Sequence, residues 1–135
     1  MREIVRIFHR RAEEAPPGNI RLKADQFLIL HYIVNCEDEV IQQDLAEWTG
    51  KDKSAVLRSI DSLEELGLMK RSCDPCDRRK NCLVLTENGH RIVEEYRMIM
   101  YELMKELFSD VSPEEVAVFF HVIRQVLAKA ESLNS

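Results

Sequence analysis

The chain has 135 residues, 45% of them hydrophobic and 32% charged, with a formal net charge of −5. That length supports one compact domain with its own core and is too short for two. With only 4 Gly and 4 Pro, the composition favours helices over a many-stranded sandwich, and no apolar run approaches the ~20 residues a membrane span requires.

Residues 2–14 place Ile4, Val5, Phe8 and Ala12 at three- and four-residue steps, which predicts a helix. The charged His9-Arg10-Arg11 within it leaves no uninterrupted apolar region of a secretory signal, so the protein is read as cytoplasmic, nucleoid-associated in a bacterium or archaeon, and its thiols as reduced. Pro16-Pro17-Gly18-Asn19 breaks the chain. Residues 23–36 are apolar around most of a helical circumference, which predicts a buried central helix. Val40-Ile41 is a candidate short strand. Gln42 to Trp48 reads as a short helix closed by Gly50, with Trp48 expected between it and the next helix.

Asp52 is a good N-cap for a helix over 53–66, with Val56, Leu57, Ile60, Leu63 and Leu66 as its inward stripe and Gly67 at its end. Residues 68–73 and 82–85 read as two strands around a turn at Asp74-Pro75-Cys76-Asp77. Thr86 caps a helix over 87–108 with a stripe of Ile92, Tyr96, Ile99, Leu103 and Leu107. Ser112-Pro113-Glu114-Glu115 opens the last helix, since Ser suits the cap, Pro the first position and Glu the third. The order describes a mainly α fold with a small β-hairpin wing: a winged helix-turn-helix lobe over 23–92, with helical dimerisation regions at 2–22 and 93–135. Nine basic and seven acidic residues fall between Lys51 and Arg91, a net-positive segment in an acidic chain. Such a segment suits contact with phosphate.

Asp44-Leu45-Ala46-Glu47-Trp48-Thr49-Gly50-Lys51-Asp52-Lys53-Ser54 resembles the first half of the MarR-family helix-turn-helix. Ile60 to Arg71 resembles the end of its recognition helix and the entry to its wing. Asp74-Pro75-Cys76-Asp77-Arg78-Arg79-Lys80 with Leu83-Val84-Leu85-Thr86-Glu87-Asn88-Gly89 resembles the wing and the helix that follows. The resemblance implies a homodimer with two winged lobes on successive major grooves of double-stranded DNA, more often as a repressor. The apolar surface of the terminal helices, more than one small lobe can cover, agrees with a dimer.

By position, Lys53, Ser54, Ala55 and Arg58 fall on the groove-facing side of the second helix, and Arg58 suits bidentate contact with guanine. Leu57 stands where the family commonly has a small polar residue. The resemblance makes Arg79 the minor-groove arginine of the wing, with Asp77 orienting a guanidinium and Arg78 and Lys80 on phosphate. Gln42 and Gln43 suit a backbone phosphate at the start of their helix. Against these readings stands the simpler one, that the same charges only solubilise exposed faces.

Cys73, Cys76 and Cys82 all fall in the wing, and Cys82 is expected across the hairpin from Cys73. A structural role, a redox switch helped by Lys70, Arg71, Arg78 and Arg79, and a metal site with His90 as a fourth ligand stay open. Cys36 reads as a small buried hydrophobe. The resemblance implies effectors, such as phenolic compounds, between the dimer helices and the lobe, where His31, Tyr32 and Tyr96 are candidates. No Gly-rich phosphate loop, nucleophile elbow or His-Glu-x-x-His occurs, so neither an enzyme nor a resident cofactor is expected. The competing function is a winged-helix protein-interaction module that has lost DNA binding.

Overall fold

The computed structural model describes residues 2–73 and 81–134, with backbone alone at Cys73 and Asn81. Six helices and three strands follow one another: α1 (Arg2–Glu14), α2 (Ala24–Asn35), β1 (Val40–Ile41), α3 (Gln42–Thr49), α4 (Lys53–Glu65), β2 (Met69–Cys73), β3 (Asn81–Leu85), α5 (Glu87–Leu107) and α6 (Pro113–Asn134). No described helix is long and apolar enough to cross a membrane. The chain divides by its contacts into two units, residues 1–99 and 100–135.

In the first unit, α1 ends where Pro16 and Pro17 forbid its continuation. A 3-10 turn over Pro17–Asn19 follows, with Gly18 and Asn19 in the left-handed region at φ 57° and 58°. The extended strap beyond it is held by one side chain. The Tyr96 hydroxyl accepts from the Leu22 amide and donates to the Ile20 carbonyl, each at 3.2 Å. Those bonds satisfy a phenol that is otherwise buried.

The cap signals at the other helix ends all operate. Asp52 accepts the Ala55 amide at 2.9 Å, Thr86 accepts the Gly89 amide at 3.0 Å, and Gly50 takes φ 64° at the end of α3. The core is built from Ile29 and Leu30 of α2, Leu45 of α3, Val56, Ile60 and Leu63 of α4, Met69 of β2, and Ile92 and Val93 of α5. The three- and four-residue spacing of these positions turns one stripe of each helix inward. Gln26, a buried polar side chain, donates to the Ser62 hydroxyl at 2.9 Å and accepts the Lys23 amide at 2.9 Å. It ties α2 to α4 without leaving a polar group unpaired.

The three strands form an antiparallel sheet in the order β1-β3-β2. Cys82 pairs with Ile41 on one side and with Ser72 on the other, while Cys73 pairs with Asn81. Cys82 therefore does not lie opposite Cys73 as the spacing suggested. A one-residue offset in register decides this, and loop length alone does not fix register.

Gly89 sits where α5 crosses the start of β2. A Cβ there would lie 2.0 Å from the Leu68 carbonyl oxygen, which already accepts the Thr86 amide at 3.1 Å. Gly89→Ala should therefore cost about 2–3 kcal/mol, because backbone rather than a flexible side chain must move. A chemical-denaturation midpoint equal to that of the unchanged protein would show that the contact relaxes freely.

Two expectations about packing are corrected. Leu57 and Leu66 are not inward on α4; they are 39% and 38% exposed, since Val56, Ile60 and Leu63 alone fill the buried stripe. Trp48 is 46% exposed and packs on Tyr32 of α2, with ring centroids 4.6 Å apart, rather than between α3 and α4.

In the second unit, Ser112 and Glu115 form the reciprocal cap the sequence implied: the Glu115 amide donates to the Ser112 hydroxyl at 3.2 Å and the Ser112 amide to the Glu115 carboxylate at 3.1 Å. Phe108, Phe119 and Phe120 cluster with centroids 5.4 to 6.1 Å apart. No residue of α6 is buried, and Val118, Val122, Ile123, Val126 and Leu127 are all exposed along it.

Candidate nucleic-acid interface

The first two turns of α4 present Lys53, Ser54, Leu57 and Arg58 to solvent, with Ala55 half-buried beside them. Four-residue spacing places Leu57 over Lys53 and Arg58 over Ser54. Leu57 thus belongs to the outward face and is a surface residue the inward-stripe reading missed. Its distance from Lys53 was the available signal. An exposed aliphatic group there suits apolar contact with a thymine methyl.

The start of α3 joins this face. Gln42, Gln43 and Lys53 line one small recess, so the structure brings together residues read separately from the sequence. The Gln43 amide donates to Glu47 at 2.9 Å, within its own helix. A second recess, of about 260 Å³, is lined by Lys23, Asp25, Gln26, Ala55, Arg58, Ser59 and Ser62. Lys23, unremarked in the sequence, enters the interface through this recess beside Arg58.

Asp25 opposes the positive charge there, yet it is engaged. It accepts the Ser59 hydroxyl at 2.9 Å and lies 3.7 Å from the Lys51 ammonium. Burial raises its pKa, but the Ser59 bond and Lys51 outweigh that and hold the carboxyl below its ordinary value. The carboxylate form is thus the one this site is built around.

The root of the wing is fastened to α4 by Arg71. Its guanidinium bonds Asp61 at 2.7 Å and Glu64 more closely, and its backbone amide donates to Glu64 at 3.1 Å. Arg71 is therefore committed to carboxylates of α4 rather than to a wing thiol. Arg71→Met keeps the apolar stem and removes the pairs, so it should cost about 1 kcal/mol, the upper end for partly exposed ion pairs. An unchanged urea midpoint would show that the pairs add nothing to the α4–β2 junction.

Cys76, Asp77, Arg78, Arg79 and Lys80 lie outside the described residues, as does the side chain of Cys73. Among the described residues no group of three or more His, Cys, Asp or Glu is poised to hold a metal. The effector candidates are divided. Phe27 neighbours His31 and Tyr96, at centroid distances of 5.8 and 5.3 Å, and Phe8 stands 5.9 Å from Phe27 and 6.3 Å from Tyr96. Tyr32 faces Trp48 instead. The buried Nδ1 of His31 has no hydrogen-bond partner among the described residues. Burial, then the nearby Arg97 charge, lowers the His31 pKa, so its imidazole is held neutral.

Residues 22–80 match the family model described as the MarR family. A solved structure of MarR superposes with a TM-score of 0.78 at 26% identity, covering 97% of this chain and 88% of that one. Wild-type MarR from E. coli in its apo form gives 0.75 at 24% identity, covering 93% and 90%. A mutant of S. aureus MepR bound to an oligodeoxyribonucleotide gives 0.68 at 23% identity, covering 96% and 91%. The matched residues run from the strap before α2 through α3, α4 and β2 to residue 80, and over that stretch the chain is similar to the MarR family.

Proposed function

We propose that the protein acts as a homodimer on a pseudo-palindromic operator, placing α4 of each protomer in successive major grooves, and that it represses until a signal releases it. The outward row of Lys53, Ser54, Leu57 and Arg58 on the first turns of a capped helix carries this reading. In a two-fold dimer such helices meet half-sites about one helical turn apart. Arg58 takes the base-reading role, Gln42, Gln43 and Lys53 hold phosphate, and Arg78, Arg79 and Lys80 anchor the wing with Asp77 orienting a guanidinium. The exposed apolar length of α6 supplies the self-complementary surface.

The release signal fits the aromatic cluster of Phe8, Phe27, His31 and Tyr96, where helices α1, α2 and α5 meet. An aromatic effector would find stacking partners and the unpaired His31 nitrogen there. Selection of duplexes from a random pool at fixed salt tests the operator reading. Recovery of an inverted repeat with half-sites roughly 10 base pairs apart is expected. Recovery of no preferred duplex, with no salt-dependent binding, would leave the interaction module as the better account.

A further inference from the structure

Lys51 stands in the turn between α3 and α4, two residues before Lys53 opens the outward row of α4. Its ammonium lies 3.7 Å from a carboxylate oxygen of Asp25, on the first turn of α2. The same oxygen accepts the Ser59 hydroxyl of α4 at 2.9 Å. Asp25 also shares a recess with Lys23 and Arg58, so one carboxylate is held among three cations beside the helix proposed to enter DNA. A surface that bound phosphate by charge alone would be weakened by it. We propose that Asp25 is a selectivity residue of the DNA interface, a fixed carboxylate that occupies Lys51 and repels phosphate so that binding depends on base readout; this rests on the DNA-binding function proposed for α4.

A lysine gains on DNA by replacing a counterion condensed along the backbone. Lys51 already has its counter-charge. Moving it to a phosphate leaves the Asp25 carboxylate, 29% exposed, facing a polyanion with its partner gone. The pair itself, partly open to solvent, is weak; the repulsion left behind is what matters. Burial works against ionisation of Asp25, yet the Ser59 bond and Lys51 prevail and hold its carboxyl below the ordinary value, so the charge persists at neutral pH.

The two modes of DNA binding meet this charge differently. Sequence-independent binding draws almost wholly on phosphate, which turns Arg58 and Lys23 to the backbone and brings phosphate to the recess that holds Asp25. In the base-reading pose Arg58 is committed to a base edge, and no phosphate has to enter. Asp25 also serves stability, as an acid in the first turn of a helix and as a tie from α2 to α4 through Ser59. Those roles alone would give Asp25→Asn a lower denaturation midpoint and no change in salt dependence.

Asp25→Asn is titrated with a mixed-sequence duplex and with the preferred duplex from the random pool, over a range of salt. At ~0.1 M salt it should bind the mixed duplex about 5-fold or more tighter than the unchanged protein, with a salt dependence steeper by about one charge, and gain less on the preferred duplex. Lys51→Ala should leave the unchanged protein's affinity within about 2-fold, yet cancel the gain when added to Asp25→Asn. Unaltered affinity and salt dependence in Asp25→Asn, an equal gain on both duplexes, or a loss in Lys51→Ala as large as in Lys53→Ala would each overturn the proposal while leaving DNA binding by α4 in place. Absence of salt-dependent binding by the unchanged protein to either duplex would overturn both. Should Asp25→Asn fail to fold, Lys51→Ala, at an exposed position, decides the outcome alone.

Discussion

In the proposed homodimer, Val122→Glu combined with Val126→Glu should convert dimer to monomer and lower affinity for the proposed operator by about 100-fold or more. Both side chains are near half-exposed on α6, where no residue is buried. Neither is one of the clustered rings, and with no residue of α6 buried each can change without emptying a core. A carboxylate placed at a two-fold interface faces its own copy or a desolvated apolar wall, and either is costly. DNA binding suffers because a dimer engages its second half-site as an intramolecular event, and a monomer does not. Light scattering reads the mass and a duplex titration the affinity. A double variant that stays dimeric would mean that the dimer uses another surface.

Arg58→Ala should lose roughly 1–3 kcal/mol of operator affinity and relax discrimination at one base position, the signature of a bidentate guanine contact. Arg79→Ala should weaken binding to many sequences alike, since a minor-groove arginine responds to groove width rather than to a base edge. The pair of variants thus separates reading from anchoring. Uniform weakening by Arg58→Ala would reassign it to phosphate, and its contribution would then appear as a shallower dependence on salt. Leu57 adds a check within the same face, because an aliphatic group favours a thymine methyl. Replacing it with Ser should reduce preference at that position while leaving the salt dependence unchanged.

The local signals in this sequence carried the elements well. Helix caps at Asp52, Thr86 and Ser112 and the left-handed Gly50 each depend on a few adjacent residues, and each forms the bond its residue type implies. The helix-turn-helix order, with strands on either side of the wing, follows from those caps together with apolar periodicity. The outward placement of Lys53, Ser54 and Arg58 follows from the same periodicity.

The features that depended on partners distant in the chain came out differently. Leu57 and Leu66 could join the inward stripe by composition, but the three residues Val56, Ile60 and Leu63 already occupy the buried stripe. Trp48 found Tyr32 because α2 passes beside the end of α3, a neighbour that spacing along one helix does not reveal. Arg71 chose Asp61 and Glu64 over the cysteines close to it in sequence, since the antiparallel return of β2 lays its first residues along α4.

The cysteines make the same point most sharply. Read along the chain, Cys82 belonged with Cys73 and Cys76, and Cys36 was a core filler. Strand register sets Cys82 opposite Ser72, and the fold gives it Cys36, Glu39 and His90 as cavity neighbours. Caps, turns and amphipathic stripes rest on interactions within a few residues and are written into the chain itself. Which side chains share a cavity rests on register and helix packing, and only the folded arrangement supplies those.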